Sequence, residues 1–180
     1  ARNARAQYFI PTENEWYKAA FYKGGSTNAG YWDYATQSNT APGNVVGSAP
    51  NQANYLAGSR YSVTQSTSWS STQNYITDAG AFSASASAYG TYDMSGNVWE
   101  WTDLTGAAST QRGLRGGHVG DVAGDVSVYG RRDVAPNSEF NSVGFRLASP
   151  VAATGPVGDT VRYQASPGTY SGVTTGLNLE

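Results

Sequence analysis

The chain has 180 residues, a formal net charge of -2, 22 glycines, 13 tyrosines and 5 tryptophans, but only one histidine and no cysteine. A chain of this size buries roughly 70% of its unfolded surface, so one domain can hold a core without covalent staples. The inventory excludes disulfides and thiolate chemistry, offers no basic stripe for nucleic acid, and contains no apolar run near the ~20 residues of a membrane span.

The chain starts at Ala1 without a visible signal peptide, as after removal of a leader. Its Ser, Thr, Asn, Gly and Tyr richness predicts an extracellular or cell-surface protein. Thr12 to Tyr22 is the clearest helix. Thr12 and Glu15 have capping-box spacing, Trp16, Ala19 and Ala20 share an apolar face, and Gly24-Gly25 follows as a stop. From Ser26 to Ala88 periodicity fades, and a loop of that length must be pinned by aromatic anchors or by a metal ion. Val98 to Thr102 reads as a strand around two tryptophans, at least one of them in the core. Gly113 to Gly117 reads as a short strand into a glycine turn, and Asn141 to Ala148 as a final strand with Val143, Phe145 and Leu147 on one face. Beyond Pro150 only Thr160 to Gln164 is strand-like.

Three pieces stand in order: FIPTENEWYKAA (Phe9–Ala20), YGTYDMSGNVWEW (Tyr89–Trp101), and LRGG followed by GFRLA (Leu114–Gly117, Gly144–Ala148). Over about residues 8 to 149 the chain resembles the formylglycine-generating enzyme, or sulfatase-modifying factor, family. It is similar to exported bacterial members and to retroelement-diversified variable proteins. The resemblance implies an α+β domain of C-type lectin-like fold over residues 1–149, with its N-terminal part missing, and leaves residues 150–180 as an unassigned Gly/Thr/Pro-rich tail. Family domains begin further upstream, so another chain or the tail is expected to supply an edge.

The resemblance also implies where catalysis would sit. Two cysteines hold copper just after the RGG turn, at positions matching about Asp121 and Val126, and neither residue can be a thiolate. Formylglycine generation is excluded on that chemistry. Another branch resembles non-haem iron enzymes with three imidazoles. Here His118 stands with only Asp121 and Asp125, in a glycine-laden loop whose spacing enforces no geometry. A satisfied loop histidine explains His118 as well. The reading is therefore a non-catalytic protein.

Asp93 to Glu100 can offer two carboxylates and several carbonyls to a hard cation, which takes about six to eight oxygens. The resemblance implies a structural Ca2+ on Asp93, Gly96, Val98 and Glu100. The alternative is that Asp93 and Glu100 accept backbone amides and order the turn without metal. The candidate ligand surface lies within residues 118–142: His118, Val119, Asp121, Asp125, Val126, Tyr129, Asn137, Phe140 and Asn141. Tyr, Ser, Gly and Asn on a rigid frame are paratope-like chemistry. Arg131 and Arg132 either face the ligand or pair internally with acidic neighbours. The expected partner is a protein or a glycan, with self-association through the terminal segments as a further possibility. Three other functions stay open: a retroelement-diversified receptor binder, a self-assembling filament subunit, and a metal-dependent oxidoreductase using His118. Residues 118–138 lack the Trp, Lys, Gln, Glu and Met that the diversified codons of variable proteins cannot encode. A plain glycine-rich loop explains that gap equally well.

Overall fold

The computed structural model describes residues 6–26, 29–102, 111–151 and 160–166. Helix α1 runs from Glu13 to Phe21, with Thr12 as its N-cap. The Glu15 amide donates to the Thr12 hydroxyl (3.3 Å) and the Thr12 amide to the Glu15 carboxylate (2.7 Å), so two otherwise orphaned donors are satisfied. Trp16, Ala19, Ala20 and Phe21 are buried; they meet Ala35, Met94, Val128 and Ala148 in the main core. The chain leaves the helix in an extended conformation at Tyr22, and Gly24 and Gly25 follow with positive φ.

Five short strands form one sheet: β1 (Trp99–Trp101), β2 (Arg112–Arg115), β3 (Arg132–Val134), β4 (Val143–Val151) and β5 (Thr160–Ser166), in the order β3-β2-β1-β4-β5. β1 pairs β4 in parallel, with Trp99 opposite Val143; the other pairings are antiparallel. Phe9 bridges Ala148 through two backbone hydrogen bonds (2.9 and 2.8 Å) and ties the segment before α1 to β4. The strand-like patch in the tail is β5, which lies along β4 from Phe145 to Val151. The remainder of the tail is outside the described residues.

β4 differs from its expected facing. Phe145 points largely outward, while Arg146 and Ala148 are buried. The core side of this strand carries an arginine, which an apolar alternation pattern cannot reveal.

Between Tyr22 and Val98 the described residues form turns and isolated bridges. Buried amide side chains pin this long connection. Asn54 Nδ2 donates to the Tyr75 carbonyl (2.9 Å) and to Asn97 Oδ1 (3.0 Å). Asn97 Oδ1 also accepts the Thr77 amide (3.0 Å), and Asn44 Nδ2 donates to the carbonyls of Tyr55 and Arg60. Such groups substitute for the ladder that buried backbone otherwise requires. Aromatic anchoring is also present, since the buried Tyr55 hydroxyl donates to the Pro42 carbonyl.

Candidate functional site

The turn from Asp93 to Glu100 enters β1 through two non-glycine residues at positive φ, Asp93 and Asn97, with Gly96 between them. A Cβ at Gly96 would collide with the Asn54 carbonyl, so this close approach requires glycine. Glu100 is buried on β1, and its carboxylate is fully engaged. Arg146 Nη2 donates to Oε1 (2.5 Å), Arg146 Nε donates to Oε2, and the Trp16 indole also donates to Oε2 (2.6 Å). Arg146 Nη2 further reaches the Tyr92 and Asp93 carbonyls. The Asp93 carboxylate accepts the Gly80 amide (2.7 Å), and the Gly96 carbonyl accepts the Val98 amide (3.0 Å). Burial pushes the Asp93 carboxyl above its usual range, against the pull of the Gly80 amide and Arg146.

Of the four positions expected to hold calcium, Glu100 is the one that Arg146 engages. A divalent ion there would compete with the Arg146 guanidinium for Glu100, while the carbonyls that Arg146 reaches are those of Tyr92 and Asp93 and not those of Gly96 and Val98. Asp93 accepts a backbone amide, as the metal-free alternative has it, whereas Glu100 takes side-chain donors.

Residues 118–141 divide into a buried and an outward part. Val126 is 0% exposed and packs with Ala53 and Tyr55; Val119 is also buried. Neither belongs to a ligand surface, because both are core side chains. Asp121 is buried too, and organises the loop. Its Oδ2 accepts the His118 amide (2.9 Å) and lies 2.6 Å from His118 Nδ1, close enough for an ion pair though off hydrogen-bond alignment. Its Oδ1 accepts Arg132 Nη2 (3.0 Å). Burial opposes ionisation of Asp121, but the His118 contacts and the Arg132 charge outweigh it and hold the carboxyl below its usual range.

Both arginines of the loop pair internally. Arg132 bridges Asp121 and Asp125 while its guanidinium lies 4.7 Å from the Trp99 ring centroid. Arg131 pairs with Asp133 and, at 2.8 Å, with Glu13, which also holds Arg115 at 2.6 Å. His118 and Asp121 come together, while Asp125 meets Asp121 only through Arg132, which pairs with both carboxylates. Among the described residues no group of three His, Asp or Glu side chains is placed to hold a metal ion.

Of the expected surface, Tyr129, Asn137, Phe140 and Asn141 face outward, with His118 and Asp125 partly exposed. Tyr129 is 83% exposed and Phe140 54%. Val122 joins them as an exposed residue that sequence reasoning missed; an isolated valine among Gly, Ala and Asp carries no period to announce its side. The backbone beneath Tyr129 is fixed. Val128 donates to the Asp33 carbonyl (2.7 Å), Gly130 to Ser127, and Arg115 Nη1 donates to the carbonyls of Val128 and Gly130.

Residues 1–151 match the family described as Sulfatase-modifying factor enzyme 1-like domain. The crystal structure of CarF is similar, with a TM-score of 0.54 and 23% identity over 84% of this chain and 51% of that one. Treponema denticola variable protein 1 (TM-score 0.47, 26% identity, 79% of this chain and 47% of that one) and PvdO from Pseudomonas aeruginosa (0.47, 20%, 78% and 51%) are also similar. The chain thus spans about half the length of each of these solved structures. No curated protein matches it.

Proposed function

This chain belongs to the family of sulfatase-modifying factor enzyme 1-like domains and has its C-type lectin-like fold, and from that premise we propose that it is a non-catalytic ligand-binding domain. Its contact surface is the outward part of residues 118–141, centred on Tyr129, Val122 and Phe140.

The carrying observation is Tyr129. It is a large amphipathic side chain standing in water, between two buried residues whose backbone is tied to Asp33, Ser127 and Arg115. A preorganised loop of this kind loses little entropy on binding, and tyrosine offers area and a hydroxyl with few rotatable bonds. The positions that matched catalytic cysteines support the same reading. Val126 closes one with core packing, and Asp121 fills the other with an ion-paired carboxylate. A chain without cysteine carries none of the thiolates that formylglycine generation would draw on, which favours binding.

The ligand is a protein or glycan met outside the cell or at its surface. No helix of the described residues is long and apolar enough to cross a membrane. The test is binding of the wild-type protein and the Tyr129→Ala/Phe140→Ala variant to arrays of envelope proteins and glycans. Hits lost in a variant with unchanged melting temperature support the proposal. An array without hits, or one in which every hit survives the two substitutions, overturns it.

A further inference from the structure

A second exposed aromatic feature belongs to the long connection rather than to residues 118–141. Trp69 is 59% exposed. Its indole stacks on Tyr75, with centroids 4.4 Å apart and planes 16° from parallel, and Tyr61 supports both rings at 5.5 and 4.7 Å. Tyr75 is buried, and its hydroxyl grips both neighbours of Trp69. It accepts the Ser70 amide (2.9 Å) and donates to the Ser68 carbonyl (3.3 Å). The Tyr75 carbonyl is in turn held by Asn54, inside the network that fixes the entry to β1. One face of the indole is therefore covered, and the orientation of the other is set by the core.

An indole whose only task was to anchor the loop would bury itself. Here Tyr75 supplies the anchor, and the loop's hydrogen bonds hold a large preoriented ring at the surface, a residue type enriched at binding interfaces.

The surroundings specify the ligand chemistry. From Tyr61 to Thr77 there is no charged residue; hydroxyl and amide side chains line the stretch, with Ser70, Thr72, Gln73 and Asn74 exposed. A stacking nucleobase would bring phosphates, which need basic neighbours. Arg60, at the edge of the stretch, donates its Nη1 to the Gln65 carbonyl. A pyranose ring has the complementary form: an apolar C–H face for the indole and a rim of uncharged hydroxyls for serine, threonine and amide groups, which both donate and accept. We propose that Trp69, backed by Tyr75 and Tyr61, is a binding platform for a neutral saccharide, separate from the surface around Tyr129.

Titration calorimetry with neutral hexasaccharides of β-1,4-glucose, α-1,4-glucose, β-1,4-xylose and β-1,4-N-acetylglucosamine tests this. At least one should bind the wild-type protein. Trp69→Ala should weaken that binding by about tenfold or more, while Trp69→Phe and Tyr129→Ala keep it within a few-fold. Melting temperatures of the variants separate loss of the platform from loss of the fold. Failure of all four sugars, or binding that survives Trp69→Ala, overturns the proposal. So does Trp69-dependent binding of a proline-rich peptide without any sugar, which would assign the platform to a protein partner.

Discussion

Glu100 holds a position where charge, hydrogen bonding and burial are tightly coupled. Its two oxygens take three donors from Arg146 and Trp16, and the pair lies almost without water contact. A buried pair of this kind adds little over a well-packed apolar pair, but removing one partner strands a charge. Arg146→Met should therefore destabilise the protein by about 3–5 kcal/mol in urea melts. Glu100→Gln/Arg146→Met should recover much of that, because the amide oxygen still accepts the Trp16 indole and no charge is stranded. Cation dependence is a separate test of the same site. With the guanidinium in place, 5 mM-scale calcium or excess chelator should leave the melting temperature unchanged. A rise of several degrees with calcium would show that Arg146 gives up Glu100 to the ion, since a ligand stabilises the state it binds. Sequence reading located this turn and paired its two carboxylates, but not the partner. Arg146 sits 46 residues away, and only the parallel register of β1 on β4 brings it over Glu100.

At the scale of elements, α1 is the clearest case of a sequence that states its own boundaries. Thr12→Ala removes the capping acceptor and should cost about 0.5–2 kcal/mol, with Thr12→Ser close to neutral, measured by thermal or urea unfolding. The helix also reaches across to the sheet through Glu13, which clasps Arg115 of β2 and Arg131 beside β3. Burial alone would raise the Glu13 carboxyl, but the hydrogen bonds from Arg131 and Arg115 hold it below its usual range. A carboxyl depressed in the folded state stabilises above its unfolded pKa and loses that contribution as pH falls through the folded one. Glu13 and Asp121 share this sign, and Asp93, raised by burial, has the opposite one. Melting temperature should accordingly fall on acidification through the carboxylate range, and the fall should be shallower in Glu13→Gln than in wild type. An unchanged acid limb would show that the Glu13 clasp contributes nothing. The strands were less legible than the helix for a physical reason. β1 showed through its alternating tryptophans, but β3 is three residues without an apolar pattern, too short to display a period. β3 consists of Arg, Asp and Val, which exist as a strand only because β2 pairs with them and Glu13 and Asp121 hold the arginines at its start. In β4 the expected apolar face is only half-buried, with Phe145 exposed, and the fully buried face carries Arg146, which answers the buried Glu100 carboxylate.

For the whole molecule the governing question is how a sheet of short strands closes its edges. β3 ends one side, where both residues of its opening pair are tied down by ion pairs, an arrangement that blunts pairing with another chain. On the other side β4 is the longest strand, and its outer edge is covered from Phe145 to Val151 by β5. Phe9 occupies its inner edge at Ala148. Residues 160–166 are thus paired into the sheet. Deleting residues 152–180 would leave seven consecutive ladder positions of β4 without a partner, and an unpaired strand of that length templates association. The truncated chain should shift toward larger species with rising concentration, measured by light scattering on a sizing column, while the full chain does not. The core around Trp16 draws on α1, the long connection, Val128 and β4, all of which remain in the truncated chain, so it should keep its cooperative unfolding. If it instead remains the same size as the full chain at every concentration, the β4 edge is protected by its own residues, and the tail is free for another role. If the full chain is the larger species and truncation dissociates it, strand exchange between copies becomes the better account of residues 160–166.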